Sequence, residues 1–267
     1  MKFKLFSLCA LMTMSSQLAA EENDSGNTLP EEKEWDITSE VGAIITSGNT
    51  ETTTLKGEIK AKHHLDNWRN EYKIDGIFKE DEIENDDGEK VKERTNEKYS
   101  LSVQGNYKLV EDHSHLFIFG SYDSDYFGAY RSESVFSVGY GLRVVSRPNM
   151  YLDFEIGPGI KRFEYQESST EVTSDGQPLA GATESEAIGV AKIDYEWTIS
   201  DNAKFTQIVA VEYGDTNTKS ESETALMTKV NGSLQMKVAY KITHNSEVDD
   251  GKENTDTETS LTLVYSF

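Results

Sequence analysis

The sequence predicts an all-β protein: an antiparallel transmembrane β-barrel of about twelve strands, with short periplasmic turns and long acidic outer loops. Three observations support this fold. The last segment, Thr257–Phe267, alternates between apolar and polar residues, as a strand with one apolar face does. Ten of the eleven earlier segments alternate in a similar way, and the fifth is apolar on both faces. The connections between segments are alternately long and short, which is typical of transmembrane barrels.

The first 34 residues are predicted to lie outside the barrel. Residues 1–20 have the features of a secretory signal peptide, with two lysines near the start and an apolar run over residues 6–14. That run is shorter than the ~20 residues that a membrane-spanning helix needs. Residues 21–34 are polar and acidic, which predicts a flexible segment without a core. Residues 35–267 are assigned to the barrel.

Composition narrows the class of protein. The chain has 48 acidic and 26 basic residues and a net charge of −22, so a nucleic-acid partner, which needs a basic face, is not expected. Only 36% of the residues are hydrophobic, which suits a barrel because only alternate residues face lipid. The single cysteine, Cys9, lies in the predicted signal peptide. Disulfides and thiolate chemistry are therefore excluded from the rest of the chain.

The strands can be placed in order along the chain. In chain order they are predicted at 35–46, 55–65, 68–79, 98–109, 115–122, 135–145, 151–165, 187–199, 204–213, 224–230, 234–244 and 257–267. The fifth is apolar on both faces, so its orientation stays open. Asn231-Gly232 bounds the tenth and is the strongest hairpin signal, because both residues of that turn need positive φ. In the other strands the outward face is set by apolar residues at every second position: Trp35, Ile37 and Val41; Leu55 and Ile59; Trp68, Tyr72 and Ile74; Leu101 and Val103; Phe136 and Val138; Phe154 and Ile156; Ile193 and Trp197; Phe205 and Val209; Met236 and Val238; Leu261 and Leu263.

Aromatic residues are predicted to form two bands around the barrel. Membrane barrels place aromatic rings at both lipid–water interfaces. A soluble sandwich or a lipocalin-like barrel, which would instead bury its aromatic residues, is the alternative. The predicted bands are Trp68, Tyr107, Tyr151 and Trp197 beside the short turns, and Phe78, Tyr99, Tyr165 and Tyr213 beside the long loops.

Three stretches together resemble one bacterial family. They are WDITSEVGAIITSGNTETTTL at Trp35–Leu55, VGYGLR at Val138–Arg143 after Arg131, and the closing LTLVYSF. Proteins of this kind form a family of salt-induced outer membrane proteins built on a domain of unknown function. The resemblance implies the outer membrane of a Gram-negative bacterium and a link to salt or osmotic response. It implies no reaction, ligand or functional residue.

The closing strand also resembles the assembly signal of outer-membrane barrels, with Tyr265 and Phe267 on one face. That resemblance implies recognition by the barrel-assembly machinery. The other expected partners are outer-membrane lipid and lipopolysaccharide. The sequence does not fix the oligomeric state.

The face opposite the lipid is predicted to line the lumen. One interpretation is a pore whose charges tune selectivity, and a passive channel for small solutes or ions is the leading expectation. The other is a closed lumen filled by salt bridges that hold the strand register, as in a structural or stress-response barrel. The predicted pore-lining residues are Glu58, Asp75, Arg143, Asp153, Glu155, Asp194 and Glu196.

Enzymatic and metal sites are not expected. The acidic stretch Asp81–Lys90 fails the twelve-residue calcium loop, because position one would be Ile83 and position twelve Arg94. Loose binding of divalent cations there remains an alternative. The five histidines are interpreted as interfacial, and the sequence contains neither Gly-x-Ser-x-Gly nor His-Glu-x-x-His. No cofactor, metal site or catalytic residue is therefore predicted, and a membrane-embedded hydrolase is the least favoured reading.

Overall fold

Twelve antiparallel strands close into one barrel. The computed structural model describes residues 34–46, 52–84, 89–110, 113–172, 176–248 and 253–266. Each strand pairs with its neighbours in sequence, and β1 pairs with β12. The predicted fold class is confirmed. The strands are β1 Trp35–Thr46, β2 Thr52–His64, β3 Trp68–Glu84, β4 Lys90–Val110, β5 Ser114–Asp125, β6 Tyr130–Arg147, β7 Met150–Tyr165, β8 Thr183–Ser200, β9 Ala203–Tyr213, β10 Lys219–Lys229, β11 Leu234–Asn245 and β12 Thr255–Ser266.

Several predicted features lie outside the described residues. They are the signal peptide, nearly all of the acidic segment that follows it, the turn at 47–50, the tip of the β3–β4 connection and Phe267. Their assignments stay predictions. Among the described residues, no helix is long and apolar enough to cross a membrane.

The outer surface of the barrel is mainly apolar and its interior mainly polar. Leu101, Phe136 and Leu261 are about half exposed on the outside, whereas Glu40 and Lys161 are buried inside. A soluble barrel would bury its large apolar side chains and expose its charges. The observed distribution is that of a barrel whose outer face meets lipid, and it excludes the soluble alternative.

The strands are longer than predicted at one end of the barrel. We call the end that carries the β2–β3 connection the turn end and the end that carries the β3–β4 connection the loop end. The predicted loop over 80–96 is mostly strand, because β3 runs to Glu84 and β4 starts at Lys90. β6 and β10 also begin about five residues early, at Tyr130 and Lys219. These extensions are mostly polar and lack alternating apolar residues, so period-two hydrophobicity does not reveal them.

The orientation of β5 is set by its neighbour β6. Leu116 and Ile118 face outward, while the rings of His115 and Phe117 are buried inside the barrel. His115 pairs with Gly141 across the two strands, and a Cβ on that glycine would overlap the histidine ring. The glycines of β6 therefore leave room for the rings of β5. This relation between two strands cannot be inferred from the sequence of β5 alone.

Two predicted members of the aromatic bands face the interior instead. Tyr151 lines the lumen, and its hydroxyl donates a hydrogen bond to Glu196 at 3.2 Å. Tyr165 is buried in a small apolar cluster at the loop end. Both lie at odd positions of β7, on the face opposite Phe154 and Ile156. The band assignment was wrong for these two because proximity to a turn says nothing about the face of the strand.

Candidate functional site: the charged lumen

The interior of the barrel holds a cavity of about 750 Å³. Side chains from all twelve strands line it, so it follows the barrel axis and does not lie in a single wall. A second, much smaller cavity of about 30 Å³ adjoins it and is bounded by Arg143, Asp153, Lys192 and Asp194. That volume holds about one water molecule. The lumen therefore has a wide part and a tight, charged part.

The predicted lumen residues of β2 and β3 form one ion-pair cluster. Glu58 is buried and lies 2.8 Å from Lys60 and 3.3 Å from Lys73. Lys73 also contacts Asp75 at 2.9 Å. These side chains alternate along two paired strands, so each carboxylate has a cation beside it on the same inner face.

Arg143 and Asp153 form a bidentate pair between β6 and β7. The guanidinium Nε and Nη2 each donate to the carboxylate at 2.7 Å. Paired donors of this kind fix the relative orientation of both groups. Arg143 also lies over the ring of Tyr151, with 4.7 Å from its Cζ to the ring centroid. This part of the wall is therefore held rigidly.

The other predicted carboxylates also face the interior. Glu155 accepts a hydrogen bond from Gln104 at 2.9 Å and lies 3.0 Å from His115 Nε2. Glu196 contacts Lys204 at 2.8 Å. Asp194 borders both cavities. The structure thus places all seven predicted pore-lining residues on the inner face, and their role in transport remains a prediction.

His115 corrects the interpretation that the histidines are interfacial. It is buried on the inner face of β5 and paired with Glu155. Its position beside a predicted turn suggested an interface. The inward face of β5 could be read only with β6, where Gly141 leaves room for the ring.

A second ion-pair cluster lies toward the loop end, and none of its members is among the seven predicted pore-lining residues. Lys161 has a fully buried side chain and contacts Glu133 at 2.6 Å, and Lys219 contacts the same carboxylate at 3.1 Å. Glu133 and Lys219 fall in segments that were assigned to loops, so their inward direction could not be inferred. Glu212 lies 3.9 Å from Lys161 and completes the group.

An apolar cluster covers this charged group. Tyr130, Phe163, Tyr165 and Leu179 are buried together, and the Lys161 ammonium lies 5.3 Å from the centroid of the Tyr130 ring. Leu179 comes from the β7–β8 connection, which is anchored through Gln166. The Gln166 side-chain amide donates to the backbone carbonyl oxygens of Asp125 and Gly128 at 2.9 and 3.2 Å. The connection therefore packs against one side of the wall at the loop end.

The charges of the lumen are arranged as ion pairs, not as a coordination site. Between residues 34 and 266, leaving aside the stretches that the structure does not describe, no three His, Cys, Asp or Glu side chains are placed to hold a metal ion. The arrangement presents fixed charges of both signs to a water-sized space. Chemically it can screen, slow or select small charged solutes.

Two solved structures of outer-membrane proteins are similar to this chain. The translocator domain of the autotransporter NalP from Neisseria meningitidis is 11% identical with a TM-score of 0.47, covering 89% of this chain and 90% of that one. The COG4313 outer membrane channel from Pseudomonas putida F1 is 10% identical with a TM-score of 0.49, covering 92% of this chain and 100% of that one.

A closer relative is known from sequence. Uncharacterized protein YdiY of Escherichia coli (strain K12) is 36% identical over 176 residues, which are 66% of this chain and 64% of that protein. The match thus spans less than two thirds of that relative. The profile described as "Protein of unknown function, DUF481" matches residues 39–267, nearly the whole barrel. The family resemblance seen in the sequence is confirmed, and the chain belongs to the DUF481 family.

Proposed function

We propose that this protein is a passive channel for small ions and solutes. The observation that carries the proposal is the cavity of about 750 Å³, which side chains of all twelve strands border. Its ion pairs lie along the wall and leave space between them. Small side chains such as Ser102, Ser121 and Ala191 contribute to the lining. A lumen filled by side chains, as in smaller barrels, would not hold such a volume.

The excess of acidic residues supports a preference for cations. The chain carries 48 acidic against 26 basic residues, and a wall or mouth of one sign raises the local concentration of the opposite ion. Glu58, Asp194 and Glu196 border the cavity directly. We therefore expect cations to pass more readily than anions of the same size.

Planar-bilayer recording tests the proposal. Residues 21–267 are reconstituted, and conductance is measured at two salt concentrations. Discrete openings that scale with salt support a pore, and the sign of the reversal potential in a salt gradient reports selectivity. Glu58→Gln should reduce cation preference, whereas Glu164→Gln, a carboxylate at an outward position of β7, should not. A folded barrel that stays silent contradicts the channel.

A closed-lumen barrel is the second candidate, favoured by the apolar cluster over Lys161. If that cluster seals the loop end, the wild type should be silent, and Phe163→Ala should open it. If the wild type already conducts, Phe163→Ala should change conductance little. The pair of recordings separates the two candidates.

We also propose residence in the outer membrane of a Gram-negative bacterium, with lipid and lipopolysaccharide as surroundings and the barrel-assembly machinery as the insertion route. The apolar outer surface supports this location. Membrane fractionation, with heat-modifiable gel mobility as the sign of a folded barrel, tests this location.

The proposed link to salt response rests on family resemblance. Immunoblots of envelopes from cells grown at low and high salt test this link.

A further inference from the structure

Two lysines of the lumen carry charges that no other side chain neutralises at close range. Among the residues that the structure describes, the ammonium groups of Lys62 and Lys192 have no carboxylate within 4.0 Å and donate no hydrogen bond. Every other lysine or arginine that borders either cavity lies within that distance of a carboxylate. Both Lys62 and Lys192 border the wide cavity and the narrow one. The free positive charge of the inner wall therefore lies at the junction of the two cavities.

The two lysines come from opposite walls of the barrel. Lys62 belongs to β2 and Lys192 to β8, which lie six strands apart in either direction around the closed ring. Because both side chains border one cavity of about 30 Å³, they point toward each other across the lumen. Two ammonium groups that face the same small space repel each other, and an anionic group between them would be attracted to both.

A third donor at this level also lacks an acceptor within the described part of the chain. Arg69 borders the narrow cavity, and its Nε–H is buried without a hydrogen-bond partner. Glu71 Oε1 lies 3.2 Å from this nitrogen but is not aligned to accept the hydrogen bond. A buried donor without an acceptor is unfavourable. The narrow cavity is therefore surrounded by three donors that the oxygen atoms of a solute carboxylate would satisfy.

The carboxylates around the narrow cavity are not equally free to bind a solute. Asp153 is held by two donors of Arg143, and Glu155 accepts a hydrogen bond from Gln104. Asp194 borders both cavities, and no described residue forms an ion pair or a hydrogen bond with its side chain. The junction thus offers free donors for an anionic group and one free carboxylate for a cationic group.

The formal charges around the narrow cavity balance. Four cationic side chains and four carboxylates border it, and Tyr151 is the remaining lining residue. A solute with a net charge of either sign therefore meets little overall attraction. A solute whose positive and negative groups are separated can instead contact unpaired groups of both signs at once.

We infer that the junction binds small zwitterions that carry one carboxylate and one ammonium group, the class of the free amino acids. The solute carboxylate lies between Lys62 and Lys192, and the solute ammonium contacts Asp194. The narrow cavity of about 30 Å³ admits only a group of a few atoms, so the rest of the solute stays in the wide cavity of about 750 Å³. As a statement about transport, the inference rests on the proposed channel and names its solute class, whereas binding itself needs no current.

Equilibrium dialysis tests binding without any current. Residues 21–267 are folded in detergent micelles at low salt, and heat-modifiable gel mobility confirms that each barrel is folded. Radiolabelled glycine is the probe, and unlabelled glycine, acetate and methylammonium compete with it. We expect saturable binding of glycine. Acetate and methylammonium should compete roughly tenfold more weakly, because each lacks one of the two charged groups that the junction binds.

Three substitutions and one control locate the site. Lys62→Gln and Lys192→Gln should each raise the glycine Kd roughly tenfold, because each removes a charged donor from the solute carboxylate. Asp194→Asn should also weaken glycine binding, and it should make acetate as good a competitor as glycine. Lys241→Gln is the matched control, because Lys241 borders the wide cavity but is paired with Glu221 at 3.2 Å. This variant should bind glycine as the wild type does.

Absence of saturable glycine binding by a folded wild-type barrel would overturn the inference. Acetate that competes as well as glycine in the wild type would show a simple anion site, and an equal loss of binding in Lys241→Gln would show a general effect of lumen charge; either result would also overturn it. A barrel that binds glycine but carries no current would disprove the axial channel alone. A conducting barrel that does not bind glycine would disprove the zwitterion site alone.

Discussion

Single glycines determine which rings the interior of this barrel accepts. Gly139 and Gly141 lie opposite Phe117 and His115 in the β5–β6 register. The structure gives a physical reason for both glycines in the VGYGLR stretch, because a side chain at either position would overlap the facing ring. The aromatic residues of β5 thus take the space that β6 leaves.

Replacing Gly141 tests this relation. Gly141→Ala should destabilise the barrel by about 1–3 kcal/mol, the usual cost of overpacking a filled interior. Gly120→Ala is the matched control, because a Cβ there meets nothing within 4 Å. Urea unfolding in lipid or detergent gives both values. Equal midpoints for the two variants would contradict the packing described.

Asp81 links three strands at the loop end, beyond the membrane-spanning part of β3. Hydrogen bonds from Lys79 and Thr95 lower the pKa of its carboxyl from 3.8 to about 2, and Thr52 also donates to it. Because the folded pKa is lowered, its stabilisation is present above pH 3.8 and is lost as the pH falls toward 2. Carboxyl NMR titration measures this pKa. A titration near 3.8 would show that the hydrogen bonds are not formed.

At the scale of the strand, alternation predicted orientation well and length poorly. β4 shows both effects. Its outward residues Leu101 and Val103 were correctly placed, but the strand begins eight residues before the predicted start at Lys98. Hydrophobic period reports only the part of a strand that faces lipid. The polar extension that carries Arg94 pairs with β3 beyond the lipid-facing part of the strand. It therefore has no hydrophobic period in the sequence.

Adjacent residues of β4 should respond differently to a charge. Leu101→Arg places a cation on the lipid face and should cost about 2–4 kcal/mol near the bilayer midplane. Ser102→Arg places the same group in the lumen and should cost far less. Folding titrations in lipid vesicles compare them, and similar losses would show that the assigned faces are wrong.

At the scale of the whole molecule, the sequence predicted that the barrel closes, but not how far the first and last strands pair. Twelve predicted segments indicated a closed barrel, and the lumen carboxylates such as Glu58 and Glu155 followed from strand parity. Among the described residues the β1–β12 seam is paired only over Thr38–Val41, and this did not follow from the sequence, because the register between the two chain ends depends on all eleven hairpin registers at once. Glu133 and Lys219 were missed because inward direction could be inferred only within predicted strands.

The paired charges of the inner wall make it a polyampholyte. A polymer with charges of one sign contracts as salt is added, whereas one with balanced charges relaxes, because salt weakens its internal attractions. The Debye length falls from roughly 10 Å at 0.1 M to roughly 3 Å at 1 M, and salt weakens most the pairs that meet water, such as Lys204–Glu196, whose side chains are 38% and 23% exposed. The wall should therefore loosen as its surroundings become saltier, and conductance should rise more steeply than the conductivity of the solution. Strict proportionality between the two would describe a rigid wall.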